Sequence, residues 1–250
     1  MKNILIIIPA YREHKNILNL LNKIFINKSK KYNFCPLVID DSDDLLTQNL
    51  IFNSKFKKKI YFIKRSKKSG RGSAVIEGMK FFMKKNYKKF HLLVEMDADL
   101  SHRPSELKRN ISFFLKNNSD LLISSRYLKD SKIINWPMSR KLFSYFSNTL
   151  AKIVLNIPVS DYTNGYRIYS KRAVSHCVNK CGKIGDGFII LSEILLSLHL
   201  NKFKINEIKS IFKNRIRGES SVSVKEITKS MIGLLKLFFL KIYFKKKSYN

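Results

Sequence analysis

The first hundred residues alternate between short apolar runs and longer polar stretches. We interpret the apolar runs as buried strands, because each is four to eight residues long and rich in Ile, Val, Leu or Phe. The polar stretch 13–27 and the stretch 73–85, which follows a Gly-rich turn, predict helices between them. Strands that alternate with helices predict an α/β domain with a mostly parallel central sheet and helices on both faces. The four predicted strands are 3–8, 36–40, 59–64 and 90–96.

The second half of the chain continues the pattern without an internal repeat or a Pro/Gly/Ser-rich linker. We therefore expect one domain, 1–224, followed by a basic amphipathic segment, 225–250. The elements predicted here are a helix over 105–116, a strand over 119–127, a helix over 138–155, a turn into a strand over 158–170, a helix over 188–200 and a strand over 204–215.

The C-terminal stretch 231–247 is strongly apolar, but Lys236 and Lys241 interrupt it and three lysines end it. Its apolar part is about 14 residues long, which is too short to span a bilayer comfortably. Apolar bulk flanked by lysines is typical of a helix that lies in a membrane interface and is attracted by anionic lipids. A terminal helix packed on the core is the alternative.

The chain has 49 Lys and Arg residues against 18 Asp and Glu, a formal net charge of +31. Such an excess favours an anionic partner, which can be nucleic acid, a membrane surface or a phosphorylated substrate. The joint abundance of Lys, Asn, Ile and Phe also fits an AT-rich genome, so we attribute part of the excess to codon bias.

Cysteine usage and the N-terminus both indicate a cytosolic or cytosol-facing protein. Three cysteines do not make a disulfide framework, and we interpret Cys177 and Cys181 as buried thiols rather than half a metal site. The five apolar residues before Pro9 are too few for the core of a signal peptide.

Polar residues follow the predicted strands at Pro9–Tyr11, Asp41, Gly70–Gly72 and Asp97–Asp99. In sheets of this kind, ligands bind at the carboxyl ends of the strands. The shared placement of these residues therefore predicts a binding site at that edge of the sheet.

Asp97 and Asp99 are alternate residues just past a strand. If Ala98 points away, both carboxylates face the same side, and paired hard oxygens suit Mg²⁺ or Mn²⁺ held together with a diphosphate. The alternative is an ordinary pair of surface acids. His102 follows closely and is a candidate to line the same site.

Basic and polar residues elsewhere offer sites for phosphate. Arg71 lies in a Gly-rich turn whose amides and guanidinium suit phosphate or ribose, and Arg217 lies in a basic loop where it could clamp a phosphate. Arg140, Ser144 and Asn148 are four residues apart on the predicted helix 138–155, so they share one face.

Seven motifs together are more specific than any one of them. In chain order they read IIIPAYRE, VIDDS, SGRGSAVIEG, EMDADLSHRP, SSRY, DYTNGYRIYS and RGES. Over roughly residues 3–221 this series resembles the inverting family 2 glycosyltransferases, and most closely the dolichyl- or polyprenyl-phosphate mannosyltransferases. The resemblance implies the GT-A fold of nucleotide-diphospho-sugar transferases.

The resemblance also implies roles at the donor side. Arg71 would lie near the nucleotide, and Asp97 and Asp99 would bind a divalent metal, Mg²⁺ or Mn²⁺, on the donor diphosphate. Ser101 stands where some members have Gln as a further metal ligand, and the loop after Asp41 lacks the usual Pro-Asp-Gly turn. The residues that would hold the base and ribose are Pro9, Tyr11, Glu13 and Asp41.

At the acceptor side, the resemblance implies that Arg126, Arg140 and Ser144 receive a lipid phosphate and that Arg217 closes over the diphosphate. The implied reaction moves mannose from GDP-mannose to a polyprenyl or dolichyl phosphate with inversion. UDP-glucose as donor, or another family 2 reaction of cell-envelope glycan synthesis, is the alternative.

The implied partners are the nucleotide sugar, the lipid phosphate and a membrane surface, with no nucleic acid and with room for a membrane-protein partner. The expected location is peripheral, at the cytoplasmic face of the membrane. A phosphatase built on DADLS is a remote alternative, because the later GDGFII lacks the second acid such enzymes use. Charge alone favours a nucleic-acid binder, but the acidic cluster at the predicted site disfavours it.

Overall fold

The computed structural model describes residues 1–27, 29–86, 89–214 and 224–247. Its strands are β1 (Lys2–Ala10), β2 (Tyr32–Asp40), β3 (Tyr61–Lys64), β4 (Leu92–Glu95), β5 (Leu121–Ser125), β6 (Lys132–Ile134), β7 (Arg167–Tyr169), β8 (Ile205–Lys209) and β9 (Ile211–Lys213). Its helices are α1 (Ile17–Ile26), α2 (Leu46–Phe52), α3 (Arg71–Asn86), α4 (Leu107–Lys116), α5 (Met138–Leu155), α6 (Lys171–Lys180), α7 (Ile189–Leu200) and α8 (Val224–Lys247). A 3-10 turn, Pro104–Glu106, precedes α4.

Seven strands form the central sheet in the order β3-β2-β1-β4-β7-β5-β8. Neighbouring strands are parallel except β7, which is antiparallel to both β4 and β5. The predicted mostly parallel sheet is therefore confirmed. Strands β6 and β9 form a separate two-stranded parallel ribbon.

Helices cover both faces of the sheet, as predicted. Alternate residues of β1 point to opposite sides, so Leu5 and Ile7 join one apolar core and Ile4, Ile6 and Ile8 join the other. Both cores exclude water from this strand, which explains why its sequence is continuously apolar instead of alternating. Helices α3, α5, α6, α7 and α8 contribute to the first core, and α1, α2 and α4 to the second.

Two sequence predictions differ from the structure. The predicted single strand 204–215 is wrong, because the chain breaks at Ser210, where the backbone N–H donates to the carbonyl of Ser125 and the hydroxyl donates to Glu106. The predicted helix 13–27 begins later, at Ile17. Elements that the pattern did not indicate are β6, α2 and α6, the last of which is capped by Ser170.

The C-terminal helix α8 packs on the body of the protein along one strip. Leu234 and Leu237 are buried in the first core, and Gly233 lies so close to α7 that a Cβ there would be 2.6 Å from Cγ1 of Ile189. In the described parts of the chain, no helix combines the length and the apolar character needed to cross a membrane. The boundary between residues 224 and 225 stays a prediction.

The cysteines are free thiols. Cys177 and Cys181 are both buried, which confirms their interpretation as core residues. Gly78 is also a packing residue, since a Cβ there would be 2.6 Å from Cγ2 of Ile7.

Candidate active site

The carboxyl ends of β2, β1 and β4 lie side by side, so the polar residues that follow them meet at one edge of the sheet. Ala10 is in register with Asp40. Just beyond, the N–H of Asp41 donates to the carbonyl of Ala10 at 2.9 Å, and the N–H of Met96 donates to that of Ile7 at 3.1 Å. These hydrogen bonds continue the sheet pairing just beyond the strands. They hold the first residues of the loops, which carry the polar side chains, next to one another.

Asp41 is buried at this edge and pairs with Arg65. The Nε and Nη2 groups of Arg65 donate to both oxygens of the Asp41 carboxylate, and its Nη1 donates to the hydroxyl of Ser73 at 2.7 Å. The N–H of Ser69 also donates to Asp41, at 3.2 Å. Sequence reasoning missed Arg65, whose only signal is its position directly after a predicted strand.

The loop after β1 carries the other residues expected to bind the nucleotide. The half-exposed ring of Tyr11 has the ammonium of Lys68 4.0 Å from its centroid, so the loops after β1 and β3 meet. Pro9 is half-buried. Glu13 accepts from the side-chain amide of Asn16 at 2.7 Å and helps to start α1.

Arg71, the first residue of α3, bridges two acids from β4 and the loop after it. Its Nε and Nη2 donate to Oδ1 of Asp97 at 2.9 and 2.6 Å, and its Nη1 donates to Oε1 of Glu95 at 2.6 Å. Glu95 is 0% exposed, and its other oxygen accepts from the hydroxyl of Tyr169 at 2.7 Å. Glu95 thus anchors Arg71 from below, and Arg71 in turn orients Asp97.

This bridge keeps Arg71 charged. Burial lowers the pKa of the guanidinium, but the carboxylates of Asp97 and Glu95 outweigh burial and raise the pKa above its ordinary value. The half-buried guanidinium therefore stays positively charged between its two acids and is fixed at the sheet edge.

Gly165 makes room for this guanidinium. A Cβ at Gly165 would lie 2.0 Å from Nη2 and 2.7 Å from Cζ of Arg71, so no larger residue fits while Arg71 keeps its place. The motif DYTNGYRIYS contains this glycine, but the sequence does not explain why a glycine is needed there. The structure explains it by the close approach of the Arg71 side chain from α3.

His102 holds the backbone of Asp97. The N–H of Asp97 donates to Nδ1 of His102 at 3.0 Å, and Nε2 of His102 lies 2.9 Å from Oδ1 of Asn164. The amide nitrogen of Asn164 donates to the carbonyl of Ser124, which turns Oδ1 toward the ring. An N–H can only donate, so Nδ1 accepts and Nε2 carries the proton. The ring stacks on Tyr166 at 5.1 Å between centroids.

Asp97 and Asp99 are both partly exposed, whereas Ala98 between them is buried. The alternation expected from the sequence is therefore present. Oδ1 of Asp99 accepts from the N–H of Ser101 at 3.0 Å, in a tight turn that places Leu100 at φ +65°. This turn orients the second carboxylate.

The residues present fit a divalent ion that is shared with a ligand. Within the described ranges no group of three or more His, Cys, Asp or Glu side chains forms a metal cage, and Mg²⁺ in such sites is typically held by one or two carboxylates together with substrate phosphates. The hydroxyl of Ser101 is buried and has no hydrogen-bond partner among the described residues. An unpaired oxygen next to Asp99 is what an absent ligand or ion would satisfy.

Arg126, which the resemblance implies as a residue for the acceptor phosphate, is buried against Asp161. Its Nε and Nη2 each donate to that carboxylate at 2.8 Å, and Nη2 also donates to the hydroxyl of Thr163 at 2.6 Å. None of these bonds uses Nη1. The carboxylate of Asp97 is among the groups that raise the pKa of Arg126, so the two lie within electrostatic reach.

Asp161 organises the loop before β7. Burial opposes its ionisation, but Arg126 and backbone N–H groups outweigh burial, and the pKa of Asp161 is lowered overall. The same loop is tied to β8, because Glu207 accepts from the N–H groups of Ser160 and Asp161 at 2.7 and 3.0 Å. Arg126 is therefore held in one orientation.

Arg140, Ser144 and Asn148 lie on the inner face of α5, as their spacing predicts. Arg140 stacks 4.3 Å from the ring centroid of Trp136. The hydroxyl of Ser144 lies 2.8 Å from that of Tyr127, and the amide of Asn148 donates to the carbonyl of Ser160 at 2.7 Å.

Nη1 of Arg140 donates to Oδ1 of Asn214 at 2.7 Å. Asn214 is the last described residue before the segment 215–223, so Arg217 lies outside the described residues. Arg167, by contrast, is a structural residue. It is fully buried and donates to the carbonyls of Tyr162, Asn164 and Leu191.

The chain is 29% identical over 233 residues to the polyprenol monophosphomannose synthase of Mycolicibacterium smegmatis, covering 91% of this chain and 83% of that protein. It is 34% identical over 224 residues to the dolichol-phosphate mannosyltransferase of Pyrococcus furiosus, covering 89% of this chain and 60% of that protein. This chain thus matches less than two thirds of the Pyrococcus protein.

Solved structures confirm the GT-A fold. Glucosyl-3-phosphoglycerate synthase from Mycobacterium tuberculosis, in complex with Mn²⁺, UDP and phosphoglyceric acid, superposes with a TM-score of 0.66 at 14% identity, over 95% of this chain and 78% of that one. The same enzyme with Mg²⁺ and UDP gives 0.64 at 13% identity, over 94% and 79%. The family model described as glycosyl transferase family 2 matches residues 5–178. This match covers more than half of the chain. The chain therefore belongs to glycosyl transferase family 2 and is a glycosyltransferase.

Proposed function

We propose that this glycosyltransferase moves mannose from GDP-mannose to the phosphate of a polyprenyl phosphate, with inversion at the anomeric carbon. The names of the two curated relatives, at 29% and 34% identity, support mannose as the transferred sugar and a polyprenyl or dolichyl phosphate as the acceptor. The observation that carries the proposal is the bridge from Glu95 through Arg71 to Asp97, because it fixes a charged, partly exposed carboxylate at the ligand-binding edge of the sheet.

The donor binds along the ends of β2, β1 and β4. Tyr11 and Lys68 offer a ring and a cation to the nucleotide base and ribose, together with Pro9 and Glu13. The paired Asp41 and Arg65 form the floor beneath them.

The donor diphosphate lies at Asp97 and Asp99. A divalent ion held by these two carboxylates would neutralise the diphosphate charge and stabilise it as it departs. His102 and Arg71 position Asp97 from two sides, one through its backbone N–H and the other through its carboxylate. Arg71 also presents positive charge near the nucleotide.

The acceptor needs no general base, because a lipid phosphate is already ionised at neutral pH. A lone pair on its oxygen attacks the anomeric carbon while the bond from that carbon to the diphosphate oxygen breaks, and the electron pair leaves with GDP. Catalysis then consists of holding two anions in line and stabilising charge. Arg140, Ser144 and Arg126 receive the acceptor phosphate, and Arg217 closes over the diphosphate.

The reaction takes place at the cytoplasmic face of a membrane, where the acceptor lipid is anchored. Free thiols at Cys35, Cys177 and Cys181 fit a reducing compartment. A separate membrane-protein partner is compatible with this location.

The test is transfer of labelled sugar by the purified full chain. Protein is incubated with a short polyprenyl phosphate and Mn²⁺ or Mg²⁺, and with GDP-mannose or UDP-glucose in parallel. Label is expected in the lipid product from GDP-mannose. Label in the lipid product from UDP-glucose alone would refute GDP-mannose as the donor. No label from either nucleotide sugar would refute polyprenyl phosphate as the acceptor.

Asp99→Asn tests the metal site, with Asp130→Asn as the matched control on an exposed aspartate that pairs only weakly with Lys209 at 3.4 Å. Asp99→Asn is expected to reduce transfer by about 100-fold or more, and the control is expected to keep full activity. Transfer that survives Asp99→Asn would remove Asp99 from the site.

A further inference from the structure

Large apolar side chains are exposed mainly on two helices. Of the 21 large hydrophobic residues that are exposed in the described parts of the chain, 14 lie on α5 and α8. We call this surface the α5/α8 face. Its members are Met138, Leu142, Phe143, Tyr145, Phe146, Ile153, Met231, Ile232, Leu235, Phe238, Phe239, Ile242, Tyr243 and Phe244.

The first part of helix α5, up to Asn148, is turned the opposite way from an ordinary surface helix, whereas Ala151 and Leu155 farther along are buried in the first core. Its inner face carries Arg140, Ser144 and Asn148, whereas Leu142 and Phe146 on the outer face are 63% and 64% exposed. A surface helix of a globular protein normally buries its apolar stripe and exposes its polar one. In this part of α5 the polar side chains point toward the candidate site, and the large apolar side chains are left exposed on the opposite side.

Helix α8 extends the same surface. One strip, with Leu234 and Leu237, packs into the core, and the opposite strip, with Leu235 and Phe239, is 59% and 67% exposed. Nζ of Lys241 donates to the carbonyl of Val154 at 3.3 Å, which ties α8 to the C-terminal end of α5. The two exposed strips therefore belong to neighbouring helices of one body.

The charges on these helices have one dominant sign. Helix α5 carries three basic residues and no acidic one, and α8 carries seven lysines and one glutamate. Among them, Lys229 and Lys236 are exposed. Apolar side chains flanked by lysines match a bilayer that contains anionic lipids, because the rings enter the acyl boundary while the ammonium groups meet the phosphates.

We propose that the α5/α8 face docks on an anionic lipid bilayer and that α5 separates the bilayer from the catalytic site. A helix with its side chains is about 10–12 Å across, so a lipid phosphate at the bilayer surface lies one helix width from Arg140. The placement of α5 between the bilayer and the catalytic site rests on the proposed function. The docking on the bilayer rests only on the apolar and basic side chains of the α5/α8 face.

Flotation with protein-free vesicles tests the docking. The full chain is mixed with vesicles of phosphatidylcholine and phosphatidylglycerol, and in parallel with vesicles of phosphatidylcholine alone. The double variant Phe146→Gln/Phe239→Gln removes one exposed ring from each helix, and Ile26→Gln/Leu46→Gln is the matched control on exposed residues of α1 and α2. All four positions are exposed, so thermal unfolding of each variant is expected to match the parent.

The parent is expected to float with the anionic vesicles and less with the neutral ones. The Phe146/Phe239 variant is expected to bind at least about tenfold more weakly, and the control is expected to bind like the parent. Equal binding by both double variants would overturn the proposal.

Two other occupants of the face have their own signatures. If the parent is a dimer in solution and the Phe146/Phe239 variant is a monomer, while neither binds vesicles, the occupant is a second copy and the proposal is overturned. If the parent binds native membranes but not protein-free vesicles, the occupant is a membrane protein, and the proposal is again overturned.

Activity separates this inference from the proposed function. With a short, water-soluble polyprenyl phosphate, the Phe146/Phe239 variant is expected to transfer sugar like the parent, and with acceptor embedded in anionic vesicles it is expected to be slower by about the loss in binding. Vesicle binding without transfer would overturn the function and leave the docking face standing.

Discussion

Gly165→Ala is expected to break the Arg71 bridge. The three atoms nearest to the new Cβ all belong to Arg71, at 2.0, 2.7 and 3.1 Å, and real Cβ contacts do not fall below 3.0 Å. Gly165 has no left-handed φ, so its backbone accepts alanine and the cost comes from the side chain of Arg71. The guanidinium must shift by about 1 Å, which stretches its hydrogen bonds beyond the usual range.

The cost follows from what the shift leaves behind. Glu95 is 0% exposed and would keep only the hydroxyl of Tyr169 as a partner. Removing one member of a buried ion pair costs about 3–5 kcal/mol. We therefore expect Gly165→Ala to lower the free energy of unfolding by about 3 kcal/mol and to reduce transfer, since Asp97 also loses its orienting partner.

Urea unfolding of a double-mutant cycle measures this. In an Arg71→Ala background the clash is gone, so Gly165→Ala is expected to cost about 0.5 kcal/mol or less. Gly78→Ala is the matched control, because its Cβ would meet Ile7 instead and its cost is expected to be equal in both backgrounds. If Gly165→Ala costs the same with and without Arg71, the reasoning is refuted.

Three further predictions concern buried oxygens. Ser101→Ala is expected to change the unfolding free energy by no more than about 0.5 kcal/mol and to raise the Mn²⁺ concentration needed for transfer; an unchanged metal titration would remove Ser101 from the metal site. The pKa of Asp161 is lowered, so its ion pair with Arg126 contributes stability above the unfolded pKa of about 3.9, and this contribution is lost on further acidification. In urea unfolding from neutral to acidic pH, Asp161→Asn is expected to lose less unfolding free energy than the parent. Burial raises the pKa of Glu193, so its contribution to stability is present below the unfolded pKa of about 4.3 and falls as pH rises; Glu193→Gln is expected to flatten that fall, and an unchanged pH profile would contradict it.

The sequence predicted the strands and the polar edge well because both are local signals. The apolar run at 3–8 reads as a buried strand whatever lies beside it, and Asp97 and Asp99 follow another such run directly. The break at Ser210 carries no such signal, since the apolar pattern continues across it. At the break, Glu106, more than a hundred residues earlier, accepts from the hydroxyl of Ser210 and from the backbone N–H of Ile211, so that N–H is taken out of the sheet pairing.

The sequence could not predict which side chains pair with each other in the site. Arg65 with Asp41, and Glu95 beneath Arg71, are pairings between elements that only the sheet order brings together. Glu95 lies within the predicted strand 90–96, and only the fold shows that it anchors Arg71. Arg217 stays a prediction.

The reversed direction of β7 has a mechanical consequence. Because β7 runs antiparallel between β4 and β5, the loop that precedes it emerges at the same edge as the carboxyl ends of its neighbours. A parallel strand would have sent that loop to the opposite edge. One short loop thus grips Arg126 through Asp161 and leaves space for Arg71 at Gly165. Five consecutive residues, 161–165, therefore set the positions of both Arg126 and Arg71, so a change of backbone in this loop is expected to disturb both arginines together.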